Sequence, residues 1–200
     1  MPLWFMPRKA TPSPSAPPTQ TRLAIPEGPD IDVRVGVDVS CTPAEVWALV
    51  RPAEKAWIVD PDVDRCFKAP GTPDGVGEIQ VFISVPHAVT GQRRVTAVEV
   101  LVEVPERYAK IRSLTEVGVS SEMEYRLSAS DFGTFLEIRS TKDYTPTAGR
   151  SRSDSVRAYI DKEMKRCTQQ WEDYLQRVKS VLETAAVAEN AASTQRPAGS

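Results

Sequence analysis

The side chain best placed for chemistry is Tyr125. Within residues 119–127 it alternates with Met123 and Leu127, while Glu122, Glu124 and Arg126 take the other parity, so its phenol belongs to the apolar face of a strand. A phenol on an apolar face must find a hydrogen-bond partner, and a substrate carbonyl would serve; a bond to protein or water is the commoner outcome. Ser113 and Ser121 are expected to face the same interior, where either could position a water or polarise a carbonyl, although buried serines usually bond the backbone. His87, the single histidine, could shuttle a proton near neutral pH. It follows Pro86 at a strand end, and an exposed loop position is the expectation. Tyr125, Ser113 and Ser121 are therefore the candidate catalytic set.

Other chemistries lack their residues. Cys41, Cys66 and Cys167 are odd in number, far apart and without a C-x-x-C pair, so reduced thiols and a cytoplasmic protein are expected. No His/Cys spacing suits a metal, and Gly71, Gly75 and Gly77 form neither a dinucleotide fingerprint nor a phosphate loop. No cofactor is expected. The 25 basic and 27 acidic residues leave a formal charge of -2, which attracts neither nucleic acid nor an anionic membrane. No run approaches the roughly 20 apolar residues of a membrane span. Residues 1–29 hold eight of the 17 prolines among Ser and Thr and are expected to be a disordered arm. The arm opens on Leu3-Trp4-Phe5-Met6 beside Arg8 and Lys9, which could engage a protein partner. Residues 186–200 are expected to be a disordered tail.

The elements that must position these residues follow from periodicity. Ile31, Val33, Val35, Val37 and Val39 alternate with polar residues and predict a first strand. Thr42-Pro43-Ala44-Glu45 carries a cap, a first-turn proline and an acidic third position, so a helix starts there with Val46, Trp47, Leu49 and Val50 inward. Arg51-Pro52 interrupts it, and residues 53–59 form a second short helix before the turn Asp60-Pro61-Asp62. Strand-length segments follow. One presents Ile79, Val81 and Ile83 on one face; another presents Val98, Val100, Val102 and Val104 opposite Glu99 and Glu103; residues 134–144 turn Leu136 and Ile138 inward after the turn Asp131-Phe132-Gly133. Residues 153–185 then place Ile160, Met164, Cys167, Trp171, Tyr174 and Val178 on one helical stripe. The class is α+β: a curved antiparallel sheet of about seven strands around a long C-terminal helix, with two short helices after the first strand.

The segment Val39-Ser40-Cys41-Thr42-Pro43-Ala44-Glu45-Val46-Trp47 resembles the opening strand-to-helix step of the START-like polyketide cyclase/dehydrase superfamily. Gly75-Val76-Gly77-Glu78, Val95-Thr96-Ala97-Val98-Glu99 with Pro105-Glu106-Arg107-Tyr108, and Met123-Glu124-Tyr125-Arg126-Leu127 with Gly133-Thr134 are similar to its later hairpins. The resemblance covers about residues 31–183 and implies a helix-grip domain, placed at 30–185, that encloses an apolar cavity. It brings no shared catalytic motif, and fold alone does not set function. Along that cavity we place Trp57, Ile83, Val100, Met123, Tyr125, Ile138, Met164 and Trp171, each of which could equally be plain core. Three functions are carried forward: a carrier or sensor of a lipid, quinone or polyketide-like molecule; a cyclase, aromatase or dehydratase using the same cavity; and a protein-interaction module.

Overall fold

Alternation along β1 (Ile31–Val39) buries Ile31, Val33, Val37 and Val39 and exposes Asp32 and Arg34, as a strand with one covered face requires. The computed structural model describes residues 30–115, 119–144 and 154–194; the proline-rich arm at 1–29 and residues 195–200 of the expected tail lie outside them. α1 (Pro43–Val50) begins with a reciprocal cap: the Glu45 amide donates to Thr42 Oγ1 at 3.3 Å, and the Thr42 amide to Glu45 Oε2 at 2.7 Å. After Pro52 the chain makes a 3-10 turn (Ala53–Lys55) and one turn of helix, α2 (Ala56–Val59). Six strands follow, β2 (Val63–Lys68), β3 (Ile79–Ser84), β4 (Val95–Val104), β5 (Tyr108–Ser113), β6 (Val119–Ser130) and β7 (Gly133–Tyr144), and then the long α3 (Asp154–Thr194).

The seven strands form one antiparallel sheet in the order β1-β7-β6-β5-β4-β3-β2, so the chain's first and last strands meet. The main core is made where α1 and α3 press on that junction: Leu136 and Ile138 of β7 and Leu175 and Val178 of α3 are all essentially buried. The convex face of β4 to β7 and β1 is laced with exposed ion pairs such as Arg112–Glu99, Lys110–Glu122 and Arg139–Asp32, each contributing little to stability but keeping that face solvated.

Four expectations change. α3 continues past Ala185 to Thr194, so the predicted tail is helical over most of its length. The apolar row Ile79, Val81, Ile83 lies on the convex face, and Gln80 and Phe82 face inward; Ile83 pairs with Arg65 and Val95, not with the concave row. β4 carries a bulge between Val100 and Val102, which reverses its parity. Val102 and Val104 become exposed as a result, and Glu103 turns inward opposite Ala109. Finally Trp57 is 58 % exposed on α2, because Val59 is the residue of that turn which packs inward.

The turn between β6 and β7 requires glycine. Gly133 has φ 133°, and a Cβ there would lie 2.6 Å from the Val39 carbonyl oxygen and 3.0 Å from the Cys41 amide. The neighbouring Thr134, fully buried, donates from Oγ1 to the Cys41 carbonyl at 2.7 Å, closing the same corner. Gly91 also has positive φ but open space around it. Gly133→Ala is therefore expected to lower the urea unfolding midpoint well beyond Gly91→Ala, strain alone being about 1–3 kcal/mol; equal shifts would show that the corner yields.

Candidate functional site

α3 lies along β1 rather than on β3 to β6, so a space remains between it and the concave face of those strands. Its inner chamber, about 230 Å³, is walled by Phe82, Val98, Ala109, Ile111, Met123 and Tyr125 from the sheet, Ala53 and Ala56 from the short helices, and Trp171 and Tyr174 from α3. It adjoins a wider mouth of about 850 Å³, and Asp60, Arg94, Thr96, Met123, Trp171 and Tyr174 border both. The mouth is polar, with Ser113, Thr115, Ser121 and Ser140 on the strands and Arg166, Asp173 and Arg177 on α3. Ligand sites occupy roughly 300–1,000 Å³, so the chamber suits a small guest and the chamber with its mouth a larger one.

Two phenols meet in the chamber wall. Trp171 and Tyr174, three residues apart on α3, pack edge-to-face with centroids 5.7 Å apart, and Tyr174 hydrogen-bonds to Tyr125 on β6. Burial pushes the Tyr125 hydroxyl up to about 12, against the lowering effect of Tyr174; the nearby Asp60 charge raises it further and Arg51 lowers it. Tyr174 is raised well above the usual phenol range, first by burial and then by Tyr125. The two phenols share one hydrogen bond, so one O–H of the pair is left over. Both phenols stay protonated at neutral pH, so they can donate hydrogen bonds but cannot act as bases.

The chamber's inner end is closed by a buried ionic cluster. Arg51, the residue that ends α1, reaches Glu78 at 3.0 Å and Glu103 at 2.6 Å, all three side chains being no more than 14 % exposed. Gln80 Nε2 donates to Glu78 Oε1 at 2.7 Å and to the Arg51 carbonyl at 3.3 Å, and the Gly75 amide donates to Glu78 Oε2 at 3.3 Å. Burial by itself would raise the Glu78 carboxyl, but the Arg51 and Gln80 hydrogen bonds, the Arg51 charge and the Gly75 amide together hold it below the ordinary carboxylate value. The cluster ties α1 to the β3 and β4 ends and fixes the shape of the chamber.

The residues proposed from sequence separate into groups. Met123, Tyr125 and Trp171 border the chamber, and Ser113 and Ser121 border the mouth; Ser113 Oγ is buried without a hydrogen-bond partner among the described residues. Val100 and Ile138 are sealed in the core, because their rings of neighbours leave no open side. Met164 packs against the Ile31, Val33 and Cys167 cluster, a turn and more along α3 from the chamber. Trp57 and Ile83 point elsewhere, for the reasons given above. His87 is exposed in the β3–β4 loop, its Nδ1 near the Val89 and Thr90 amides. Cys41 and Cys167 are buried and Cys66 is half-buried, and the described residues hold no His/Cys/Asp/Glu group suited to a metal. Asp60, Arg51, Tyr174, Phe82 and Glu103 were missed at this site: the first two read as a turn and a helix break, Tyr174 as core stripe, and Phe82 and Glu103 by parity.

The family model described as polyketide cyclase / dehydrase and lipid transport matches residues 30–176. No curated protein matches in sequence. Among solved structures, the di-domain ARO/CYC StfQ from the steffimycin biosynthetic pathway superposes with TM-score 0.60 at 15% identity over 78% of this chain; the present chain spans about half of that protein, 51%. Ara h 8.0201 gives TM-score 0.56 at 11% identity over 76% of this chain and 97% of that one. The Polyketide_cyc-like protein Cgl2372 from Corynebacterium glutamicum gives 0.55 at 19%, covering 78% and 93%. At these identities the likeness is one of fold.

The cluster has a pH signature whose sign can be inverted. The depressed Glu78 carboxyl contributes stability that is fully present above the unfolded value, about 4.3, and is lost as pH falls through the lower folded value. Wild-type stability from this group is thus flat between pH 7 and 5. Arg51→Met leaves two buried carboxylates unpaired, at a cost of about 3–5 kcal/mol near neutrality. With Arg51 gone, burial raises the folded value of Glu78, so the variant should gain stability as pH falls from 7 to 5. Guanidinium unfolding midpoints across that range check this; parallel wild-type and variant profiles would refute the pairing.

Proposed function

The chain belongs to the polyketide cyclase / dehydrase and lipid transport family, and from that premise we propose that it binds a lipophilic small molecule, such as a lipid, quinone or polyketide-like metabolite, as a carrier or sensor. The observation that carries this reading is the largely apolar chamber between the concave sheet and α3, open through a polar mouth. A guest hiding about 300 Å² of apolar surface gains roughly 7–8 kcal/mol gross, and after the costs of association about micromolar affinity remains. Met123 at the junction of chamber and mouth, with an unbranched thioether, suits guests of varied shape.

A second reading, cyclisation or dehydration of a ketone-bearing metabolite in the same chamber, has one observation in its favour. The Tyr125 hydroxyl, protonated at neutral pH and bordering the chamber, could polarise a carbonyl there. Ser113 and Ser121 stand only at the mouth, where they would orient a water or a polar end of the ligand. Binding ranks first because it needs nothing beyond the chamber.

Native mass spectrometry of the gently purified full chain, with organic extraction of what is bound, tests the first reading. A discrete lipophilic compound is expected, and Val98→Phe, which fills the space between chamber and mouth, should abolish its retention while leaving the circular dichroism spectrum unchanged. An empty wild-type protein that takes up no member of a panel of lipids, quinones and aromatic polyketides would reject it. If a compound is retained, its conversion by wild type and its loss in Tyr125→Phe, at unchanged affinity, would establish the second reading.

A further inference from the structure

The chamber's polar groups constrain the chemistry of its guest more tightly than its apolar walls do. Tyr125 and Tyr174 both border the chamber, and their mutual hydrogen bond uses only one of their two O–H groups, so the pair has one to offer a guest. Asp60 follows α2 and borders both chamber and mouth, within electrostatic reach of both phenols. One of its oxygens, Oδ1, accepts from the Asp62 amide at 3.0 Å; the described residues place no donor on the other. The inner end adds the Arg51 cluster, where one guanidinium faces two carboxylates and the formal sum is -1. Arg94 also borders the space, but it is exposed and spends its charge largely in water.

We infer that the chamber selects an uncharged, hydroxyl-bearing apolar molecule, an alcohol or phenol whose oxygen accepts from Tyr125 and whose proton goes to Asp60, and that it rejects carboxylate-ended lipids. A hydroxyl is the smallest group that both accepts and donates, so one atom answers both side chains. A carboxylate would bring a second negative charge beside Asp60 and the inner cluster in a site walled by apolar groups, where repulsion is poorly screened. This inference rests on the binding reading above and adds to it the class of ligand and the two residues that recognise it.

Isothermal titration calorimetry of the full chain at pH 7 with naphthalene, 2-naphthol and 2-naphthoate separates the two, because the three probes share one apolar body. The expected order is 2-naphthol tighter than naphthalene by about fivefold or more, from two hydrogen bonds of modest net worth, with 2-naphthoate weakest. Tyr125→Phe and Asp60→Asn should each weaken 2-naphthol about two- to tenfold and leave naphthalene unchanged, which also reports that the chamber is intact. Asp60→Asn should in addition strengthen 2-naphthoate, a gain that a purely structural role for Asp60 would not produce. Naphthalene binding with no preference for 2-naphthol, or with 2-naphthoate equal to it, would overturn the inference and leave the binding reading standing. Failure of all three probes to bind would overturn both.

Discussion

A single helix cannot cover a seven-stranded sheet, and the rest of this molecule follows from that mismatch. Strands about 4.8 Å apart make such a sheet roughly 29 Å wide, whereas a helix with its side chains is about 10–12 Å across. α3 settles along β1 and seals the β1–β7 side with Leu175 and Val178 against Leu136 and Ile138. The remaining strands must either lose their concave face to water or curl towards the helix. They curl, and the short helices with Arg51 close the far side. The chamber is therefore the part of the concave face that no element is wide enough to fill.

Polar groups in such a space have to be answered, and here they are answered in different ways. Arg51 is held from two sides through its terminal nitrogens by Glu78 and Glu103, with Gln80 bracing Glu78, so the charges of the inner end are spent on structure. The phenols of Tyr125 and Tyr174 are answered by each other, which consumes one hydrogen and leaves one. Paired groups shape the chamber and the spare ones face its content. The selection among apolar molecules proposed above rests on this division.

Much of the architecture was legible in residue order. The cap at Thr42 and Glu45, the break at Pro52, the turn at Gly133 and the stripe through Cys167, Trp171, Tyr174 and Val178 each reflect a local rule, and the strands, the short helices and α3 stand close to where those rules place them. Tyr125 and Met123 were also found, because β6 has apolar residues on its inner face alone. The reading failed wherever both faces of a strand are apolar or the register slips. On β3 the row Ile79, Val81, Ile83 looks like the inner face, yet Phe82 and Gln80 occupy it; on β4 the bulge exposes Val102 and Val104 and brings in Glu103. A period of two determines that a strand has two faces and not which one meets a helix.

By itself, the sequence determined the class, the order of elements, the helix-grip arrangement and the apolar character of what lies inside, because these depend on periodicity, caps and turns within a few residues of one another. Only the tertiary structure decided that Arg51 would meet Glu78 and Glu103, that Tyr174 would reach Tyr125, and that Asp60 would border the same chamber as both phenols. Those groups come from distant parts of the chain, and their meeting depends on strand order, on one bulge and on where a long helix comes to rest. Sequence patterns carry local preference, whereas the composition of a cavity is set by contacts between distant segments.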